Sequence, residues 1–234
     1  MLAAATDLVG YETYLAMVDE RPAGQLRHPS DNREEGARAA GALDLAAAGH
    51  EVAMISSGDP GVFAMASAVM EQLDRPDRPA SWDGVEVVVC PGITAAQAAA
   101  ARVGAPLGHD YATISLSDNL KPWSVIEARL DAAAGADFVL ALYNPASRRR
   151  PRQLGWALEI IGRHRAASTP VVVARDVGRP AEAIGIVTLA TVDLEQVDMR
   201  TVLIVGSSTT SLVASTGGRP QVYTPRRYPA VVTG

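Results

Sequence analysis

Hydrophobic and polar positions along the chain alternate between two patterns. Short runs of consecutive apolar residues, typical of strands buried on both faces, end in Gly- or Pro-containing turns. Ala- and Leu-rich stretches with helical spacing follow these turns. The strand-like runs are "EVAMI", "VEVVV", "DFVLALY", "PVVVA", "AIGIVTL" and "TVLIVG". This alternation predicts an α/β architecture with largely parallel sheets.

Helices are predicted between the strand-like runs. The stretch "DNREEGARAAGALDLAAAG" has Asp31 as a start signal, Glu34 three residues later, and Gly49 where a C-terminal cap belongs. Further helices are predicted over 62–73, "TAAQAAAARV", "WSVIEARLDAAA" and about 149–166.

The length allows one large core or two smaller ones. The chain has 234 residues and 48% hydrophobic content, whereas a typical domain has roughly 100 residues. No low-complexity linker separates two halves, and the boundary is predicted where "PLGHDY" ends the first set of elements. We therefore expect two α/β domains, 1–111 and 112–234, the second ending in a Gly- and Pro-rich tail.

Charge and composition exclude several classes of protein. A net charge of -5 gives no general attraction for nucleic acid. The single Cys90 rules out an internal disulfide framework, and no apolar run is long enough for a membrane span. His28, His50, His109 and His164 lie at no ligand spacing, so no metal site is predicted. We expect a soluble, cytoplasmic protein without nucleic-acid or membrane partners.

The loops that follow the strand-like runs share one character. Glycine allows close approach of a ligand, proline fixes the turn, and Asp, Ser, Thr or Asn supplies a polar group. None contains a phosphate-binding glycine pattern. Because ligands bind outside the carboxyl ends of strands in open α/β sheets, these loops predict a small-molecule site. They are "SSGDPG", "CPGIT", "SLSDNL", "YNPAS" and "ARDVGRPAE".

A basic run, "SRRRPR", stands at the predicted start of the helix over 149–166. Arginines at a helix N-terminus oppose the helix dipole, at a cost of roughly 0.3–1 kcal/mol each when exposed. A bound anion with carboxylates would offset that cost, because guanidinium groups bind carboxylates in a bidentate manner. The alternative is an ordinary solvated face.

Several of these segments resemble the tetrapyrrole methyltransferases of cobalamin biosynthesis. The resemblance extends from "DLVGYETYL" to "VYTPRRYP" near the C-terminus. It implies a two-domain fold with a mostly parallel N-terminal sheet and a mixed C-terminal sheet, usually in a homodimer that binds S-adenosylmethionine between its domains. The motifs that carry it are "SSGDPGVFAM", "PGITAAQAAAARVGAPLGHDYATISLSD", "ISLSDNLKPW", "LYNPASRRR" and "ARDVGRPAE".

The activity implied is methylation of precorrin-3B at C17 with ring contraction. Carried over to this chain, the cofactor residues are Gly58, Asp59, Thr94, Ala95, Tyr143, Asn144 and Thr188. A proton donor or acceptor for ring contraction would be Asp118 or Asp176. The carboxylates of a tetrapyrrole would be held by Arg148, Arg149 and Arg150.

One departure from the family pattern affects these expectations. Family members usually open with a strand, a Gly-Pro-Gly loop and a helix ahead of the segment matching "DLVGYETYL", and Met1 lies only about two helical turns ahead of it. We therefore expect the first strand and its loop to be missing, with a fused upstream domain as one explanation. The alternative functions are a sister enzyme that methylates another tetrapyrrole carbon and a non-catalytic binding module.

Overall fold

The computed structural model describes residues 2–18, 24–31, 34–147, 149–213, 218 and 220–228. The chain divides into two compact units, Met1–Thr94 and Ala95–Gly234, called here the N-terminal and C-terminal units. In the described part of the chain, no helix combines the length and apolar character needed to cross a membrane.

The N-terminal unit is built on a parallel sheet with the strand order β2-β1-β3. Its core lies where α2 and α3 pack together, and Trp82 closes it by donating its indole N–H to Asp44 Oδ1 at 2.8 Å. The elements are β1 (Asp7–Tyr11), α1 (Glu12–Leu15), β2 (Leu26–Ser30), α2 (Glu35–Ala47), β3 (Val52–Ile55), α3 (Met65–Leu73) and a 3-10 helix over Ala80–Gly84.

The predicted strand "VEVVV" is wrong within the described structure. No strand is assigned between Val85 and Thr94, and the side chains of Val88 and Val89 are 64% and 44% exposed. A buried parallel strand needs a hydrogen-bonded neighbour and cover on both faces, and this stretch has neither in the described residues. Conversely, β1 and β2 were not among the predicted strands. For β2 the reason is that "LRHPS" is largely polar and contains a proline.

The C-terminal unit contains a mixed sheet with the strand order β5-β6-β9-β7-β8 and a small sheet β10-β11-β4. The mostly parallel N-terminal sheet and the mixed C-terminal sheet confirm the predicted fold class. The elements are α4 (Ala95–Val103), β4 (Gly104–Ala105), β5 (Tyr111–Ser115), α5 (Trp123–Gly135), β6 (Val139–Tyr143), α6 (Gln153–Gly162), β7 (Pro170–Arg175), β8 (Ala183–Thr188), β9 (Thr201–Val205), β10 (Ser211–Val213) and β11 (Gln221–Tyr223).

Both faces of the five-stranded sheet are covered. Leu140 and Leu142 of β6 face a core shared with α5 and α6, whereas Val139 and Ala141 face a second core shared with α4. This alternation follows from the period of two along a strand. The tail of the chain contributes to the second core, because β11 buries Val222 and pairs with β4 and β10.

The division between the units falls between Thr94 and Ala95, whereas the sequence analysis placed it after residue 111. The reason is the packing of α4. Its apolar face buries Ala96 and Ala99 against strands of the C-terminal sheet, so the helix is part of that unit's core. A helix with small side chains on both faces gives no sequence signal for the sheet on which it packs.

The helix predicted over about 149–166 begins later and ends earlier, at Gln153 and Gly162. Arg150 and Ser147 exchange backbone hydrogen bonds of 2.9 and 3.2 Å, which form a tight turn ahead of the helix. Pro151 follows this turn. The arginines therefore precede the helix rather than form its first turn.

A buried carboxylate ties the start of β1 to two neighbouring segments. The side chain of Asp7 is 1% exposed and accepts a hydrogen bond from Thr6 Oγ1 at 2.7 Å. His28 Nε2 lies 2.6 Å from Asp7 Oδ1, and His50 Nδ1 lies 2.8 Å from Asp7 Oδ2. These bonds, Thr6 first and then the two histidines, lower the pKa of Asp7 to about 2.

Lowering the pH should therefore destabilise the protein through Asp7. The Asp7 carboxyl has a lower pKa in the folded protein than in the unfolded chain, where its pKa is about 3.9. Its contribution to the free energy of unfolding is therefore complete above about pH 4 and is lost as the pH falls toward 2. Urea unfolding at several pH values should show a steeper acid loss for the wild type than for Asp7→Asn. Asp74→Asn, at an exposed carboxylate, should behave like the wild type. Parallel acid profiles for Asp7→Asn and the wild type would contradict this assignment.

Candidate functional site

In the N-terminal unit, Asp59 joins two of the loops singled out from the sequence. Its Oδ1 accepts a hydrogen bond from the Gly61 N–H at 2.8 Å, and its Oδ2 accepts one from the Gly92 N–H at 3.0 Å. The carboxylate thus ties the turn "SSGDPG", which follows β3, to the loop "CPGIT". The sequence did not reveal this structural task of Asp59, because the two loops are far apart along the chain.

Glycine is required where these loops meet. A Cβ on Gly92 would lie far inside van der Waals contact with the carbonyl oxygen of Gly58, and Gly58 itself has a φ of 71°. Both glycines are exposed. The contact leaves a surface of bare backbone that a small ligand can approach closely.

In the C-terminal unit, the direction of the strands brings further predicted residues to one sheet edge. Strands β5, β6 and β7 are mutually parallel, since β9 is antiparallel to both β6 and β7. Their carboxyl ends therefore lie at the same edge, which we call the carboxyl edge. The residues there include Ser115, Tyr143, Asn144, Arg175 and Asp176.

Tyr143 and Asn144 are held at this edge by specific contacts. The Tyr143 hydroxyl accepts a hydrogen bond of 2.9 Å from the N–H of Ala96, which satisfies one of the free donors at the start of α4. Asn144 has a left-handed φ of 52°, and its Nδ2 donates to Ser115 Oγ at 2.9 Å. The structure thus places Tyr143 beside Ala95, which opens α4. Thr94, 8% exposed, directly precedes that helix.

Of the two candidate proton-transfer residues, Asp118 is the more open. Its Oδ2 accepts a hydrogen bond of 3.1 Å from Gln153 Nε2, and its side chain is 29% exposed. Asp176 is buried at the end of β7, where Arg175 Nη1 lies 2.9 Å and Arg200 Nη1 3.3 Å from Asp176 Oδ2.

The predicted substrate arginines have different surroundings. Arg150 is 7% exposed, and its guanidinium donates to the carbonyl oxygens of Asn144 at 3.2 Å and Leu116 at 3.4 Å. Arg149 is exposed, and Arg148 lies outside the described residues. A role for Arg150 in holding the loop was not visible in the sequence, where it is one of a run of like charges.

Thr188, the predicted cofactor residue at the end of β8, does not lie at this edge. It pairs with Pro170, the first residue of β7, and therefore lies at the opposite edge. Its backbone N–H and its hydroxyl bond to Thr191 Oγ1 at 3.0 and 2.9 Å, which caps a 3-10 helix over Leu189–Thr191. A contact between Thr188 and a cofactor stays a prediction.

Comparison with known proteins identifies the family to which this chain belongs. A sequence model described as "Tetrapyrrole (Corrin/Porphyrin) Methylases" matches residues 2–193. The chain belongs to the tetrapyrrole methylase family. The glycine contact of the N-terminal unit and the polar carboxyl edge of the C-terminal unit are therefore features of a tetrapyrrole methylase.

Named relatives and a solved structure are similar over nearly the whole chain. The precorrin-3B C(17)-methyltransferase of a Sinorhizobium species is 53% identical over 97% of this chain and 88% of its own length. The cobalamin biosynthesis protein CobIJ of Mycobacterium tuberculosis is 56% identical over 97% of this chain, which spans 44% of that relative's length. The crystal structure of the methyltransferase CobJ has a TM-score of 0.87 at 48% identity and covers 96% of this tetrapyrrole methylase and 90% of its own chain.

The glycine contact predicts a marked sensitivity to one added methyl group. Gly92→Ala should destabilise the N-terminal unit by roughly 1–3 kcal/mol, because the Cβ forces the two loops apart. Gly84→Ala is the matched control, since a Cβ there meets nothing within 4 Å. Unfolding in urea, followed by circular dichroism, measures both changes. If the two variants had the same free energy of unfolding, the loops would be able to move apart without a loss of stability, which would contradict the prediction.

Proposed function

We propose that this tetrapyrrole methylase transfers a methyl group from S-adenosylmethionine to C17 of precorrin-3B, with ring contraction, in cobalamin biosynthesis. The observation that carries the proposal is the 53% identity to the Sinorhizobium precorrin-3B C(17)-methyltransferase across most of both chains. The similarity to the CobJ methyltransferase structure supports it. A homodimer, a cytoplasmic location and a fused partner domain are further proposals that rest on the family resemblance.

The donor and acceptor groups of the described loops fit S-adenosylmethionine. In the N-terminal unit, the exposed backbone at Gly58 and Gly92 allows close approach, and the Asp59 carboxylate is available to a cationic ammonium group. In the C-terminal unit, Tyr143 and Asn144 present a half-buried ring and a polar backbone turn suited to a nucleoside. We propose Gly58, Asp59, Thr94, Ala95, Tyr143 and Asn144 as the cofactor-binding residues.

The chemistry asks for alignment rather than for a protein nucleophile. The bound cofactor supplies an electrophilic methyl group on a sulfonium, and an electron-rich tetrapyrrole carbon supplies the electrons. The protein has to hold the two at the right distance and exclude water. The Asp59 bonds and the Tyr143 bond to α4 fix the loops that would do so.

Ring contraction adds a need for proton transfer. We propose Asp118 as the group that donates or accepts this proton, because its carboxylate is partly exposed at the carboxyl edge and held in position by Gln153. Asp176 is 2% exposed with arginines at 2.9 and 3.3 Å, whereas the one arginine near Asp118 in the described contacts, Arg150, lies 4.0 Å away, so a role for Asp176 in proton transfer would require a change of partners. Arg149 stays a proposed contact for a substrate carboxylate, and Arg150 is proposed to position the loop after β6.

Product analysis tests the proposed function. Incubation with precorrin-3B and S-adenosylmethionine carrying a labelled methyl carbon should give a product one methyl group heavier, with the label at C17 by carbon NMR. A label at another carbon would identify the sister activity instead. Binding of S-adenosylhomocysteine without any turnover would favour the non-catalytic binding module.

Removing one hydroxyl tests the cofactor site. Tyr143→Phe should weaken S-adenosylhomocysteine binding by about 1 kcal/mol, roughly fivefold, because the start of α4 loses its acceptor. Calorimetric titration measures this change. Tyr111→Phe is the matched control, since Tyr111 is partly exposed at the other end of β5. Equal affinities for Tyr143→Phe and the wild type would exclude Tyr143 from the site.

A further inference from the structure

One buried guanidinium connects the loops that follow β5 and β6. Arg150 is 7% exposed, and its Nη1 donates to the carbonyl oxygens of Leu116 at 3.4 Å and Asn144 at 3.2 Å. Leu116 directly follows β5, and Asn144 directly follows β6. The Nη2 of Arg150 contacts the sulfur of Met199, in the segment before β9, at 3.3 Å. A single side chain thus touches three of the segments that meet at the carboxyl edge.

The burial of this side chain means that the two loops resist moving independently. A guanidinium holds its N–H donors in one rigid plane. If the Asn144 turn shifted without the Leu116 loop, a donor of Arg150 would lose its acceptor in a place that water reaches poorly, which is unfavourable. The backbone hydrogen bonds that Arg150 exchanges with Ser147 anchor the side chain ahead of α6. Displacement of one loop is therefore opposed by the bonds of Arg150 to the other.

The Asp118 carboxylate is held from the same segment. Gln153 Nε2 donates to Asp118 Oδ2 at 3.1 Å, and Arg150 Nε lies 4.0 Å from Asp118 Oδ1. Gln153 opens α6, shortly after Arg150 in the chain. Among the contacts of the described residues, these are the two that the Asp118 side chain makes. The placement of Asp118 therefore depends on where Arg150 fixes the segment that leads into α6.

The two groups that hold Asp118 are more buried than Asp118 itself. Gln153 is 7% exposed, and the Arg150 side chain is 8% exposed, whereas that of Asp118 is 29% exposed. A group that acts on a substrate needs an open side, and its geometry is set by neighbours whose own positions are fixed by packing. The arrangement at Asp118 meets both requirements.

We propose that Arg150 is a positioning residue that couples cofactor binding at the turn after β6 to the orientation of the Asp118 carboxylate; the proposal rests on the methyltransferase function proposed above. A nucleoside bound against the Asn144 turn fixes the carbonyl oxygen to which Arg150 donates. The guanidinium in turn fixes Leu116 and the segment that carries Gln153. The proposed proton-transfer group is thereby oriented when the methyl donor is bound. In this role Arg150 acts within the protein and needs no contact with a substrate carboxylate.

Hydrogen exchange, measured by mass spectrometry on the full chain, tests the coupling without turnover. Saturation with S-adenosylhomocysteine, checked by calorimetry for each protein, should slow exchange of the backbone amides over 117–121 by about fivefold or more. In Arg150→Gln, the ligand should still slow exchange around Asn144 but should leave the exchange rates over 117–121 unchanged. Arg152→Gln, at an exposed arginine of the same basic run, should respond like the wild type.

Methyl transfer gives a second measurement, and Gln153→Leu gives a second variant should Arg150→Gln unfold. Arg150→Gln and Gln153→Leu should each lower kcat by about tenfold, because Asp118 is no longer held in position. Gln153→Leu should leave S-adenosylhomocysteine affinity unchanged, since its side chain bonds to Asp118 and not to the Asn144 turn. When Asp118→Asn is already present, neither change should lower kcat further, because both act through that carboxylate.

Three results would overturn the coupling. The first is a wild type in which the ligand does not slow exchange over 117–121, and the second is the same slowing in Arg150→Gln. A uniformly faster exchange over 117–121 in Arg150→Gln, with the same ratio between free and ligand-bound protein, belongs to this second result and would reduce Arg150 to a structural role. The third is an additive loss of kcat when Arg150→Gln is combined with Asp118→Asn.

Failure of the methyltransferase function would look different from failure of the coupling. A wild type that binds S-adenosylhomocysteine and slows exchange over 117–121, yet does not methylate precorrin-3B, would reject that function and keep the coupling. A wild type that methylates precorrin-3B without slowed exchange over 117–121 would reject the coupling and keep the function. Melting temperatures of all variants separate these results from unfolding.

Discussion

The direction of β9 determines which residues meet at the carboxyl edge of the C-terminal unit. This strand is buried along its whole length between β6 and β7 and is antiparallel to both. Its neighbours are therefore parallel to each other and end at one edge, where β9 begins. Residues that precede β9, such as Met199 and Arg200, thus lie among residues that follow β6 and β7. Without this reversed strand, Arg200 would leave the sheet at the opposite edge from Asp176.

Local stereochemistry then shapes that edge. Both β6 and β7 are followed by non-glycine residues in the left-handed conformation, Asn144 and Asp176. This conformation is unfavourable for most side chains, and short polar ones tolerate it best because they hydrogen-bond nearby. Each residue here has such bonds, to Ser115 in one case and to arginines in the other. The sharp turns expose backbone groups at the ends of the strands, where a ligand can reach them.

The sequence predicted the parts of the structure that depend on local patterns. The alternation of apolar runs and helical stretches predicted the fold class, and β6, β7, β8 and β9 lie where their apolar runs indicated. Four of the five loops singled out from the sequence follow strands of the structure, whereas "CPGIT" follows none in the described residues. The family resemblance added the tetrapyrrole methylase fold, which the family comparison confirms.

What the sequence could not predict depends on contacts between distant segments. An apolar run does not reveal whether it has a neighbour to pair with, so "VEVVV" looked like a strand. The run of arginines did not show that the Arg150 side chain turns inward. Its guanidinium donates to the carbonyl oxygens of Leu116, which follows β5, and Asn144, which follows β6. The sequence analysis assigned Asp59 to the cofactor and did not show that its carboxylate also binds the N–H of Gly92, which is far along the chain.

The contact between Gly58 and Gly92 has a consequence for the engineering of this protein. The two loops can approach this closely because Gly92 lacks a side chain, since a Cβ there would meet the carbonyl oxygen of Gly58. A chimera that imports one loop from another scaffold, without the other, would bring together two surfaces shaped for different partners. The turn after β3 and the segment ahead of α4 should therefore be exchanged as a pair, and a library that varies them independently would consist mainly of incompatible combinations.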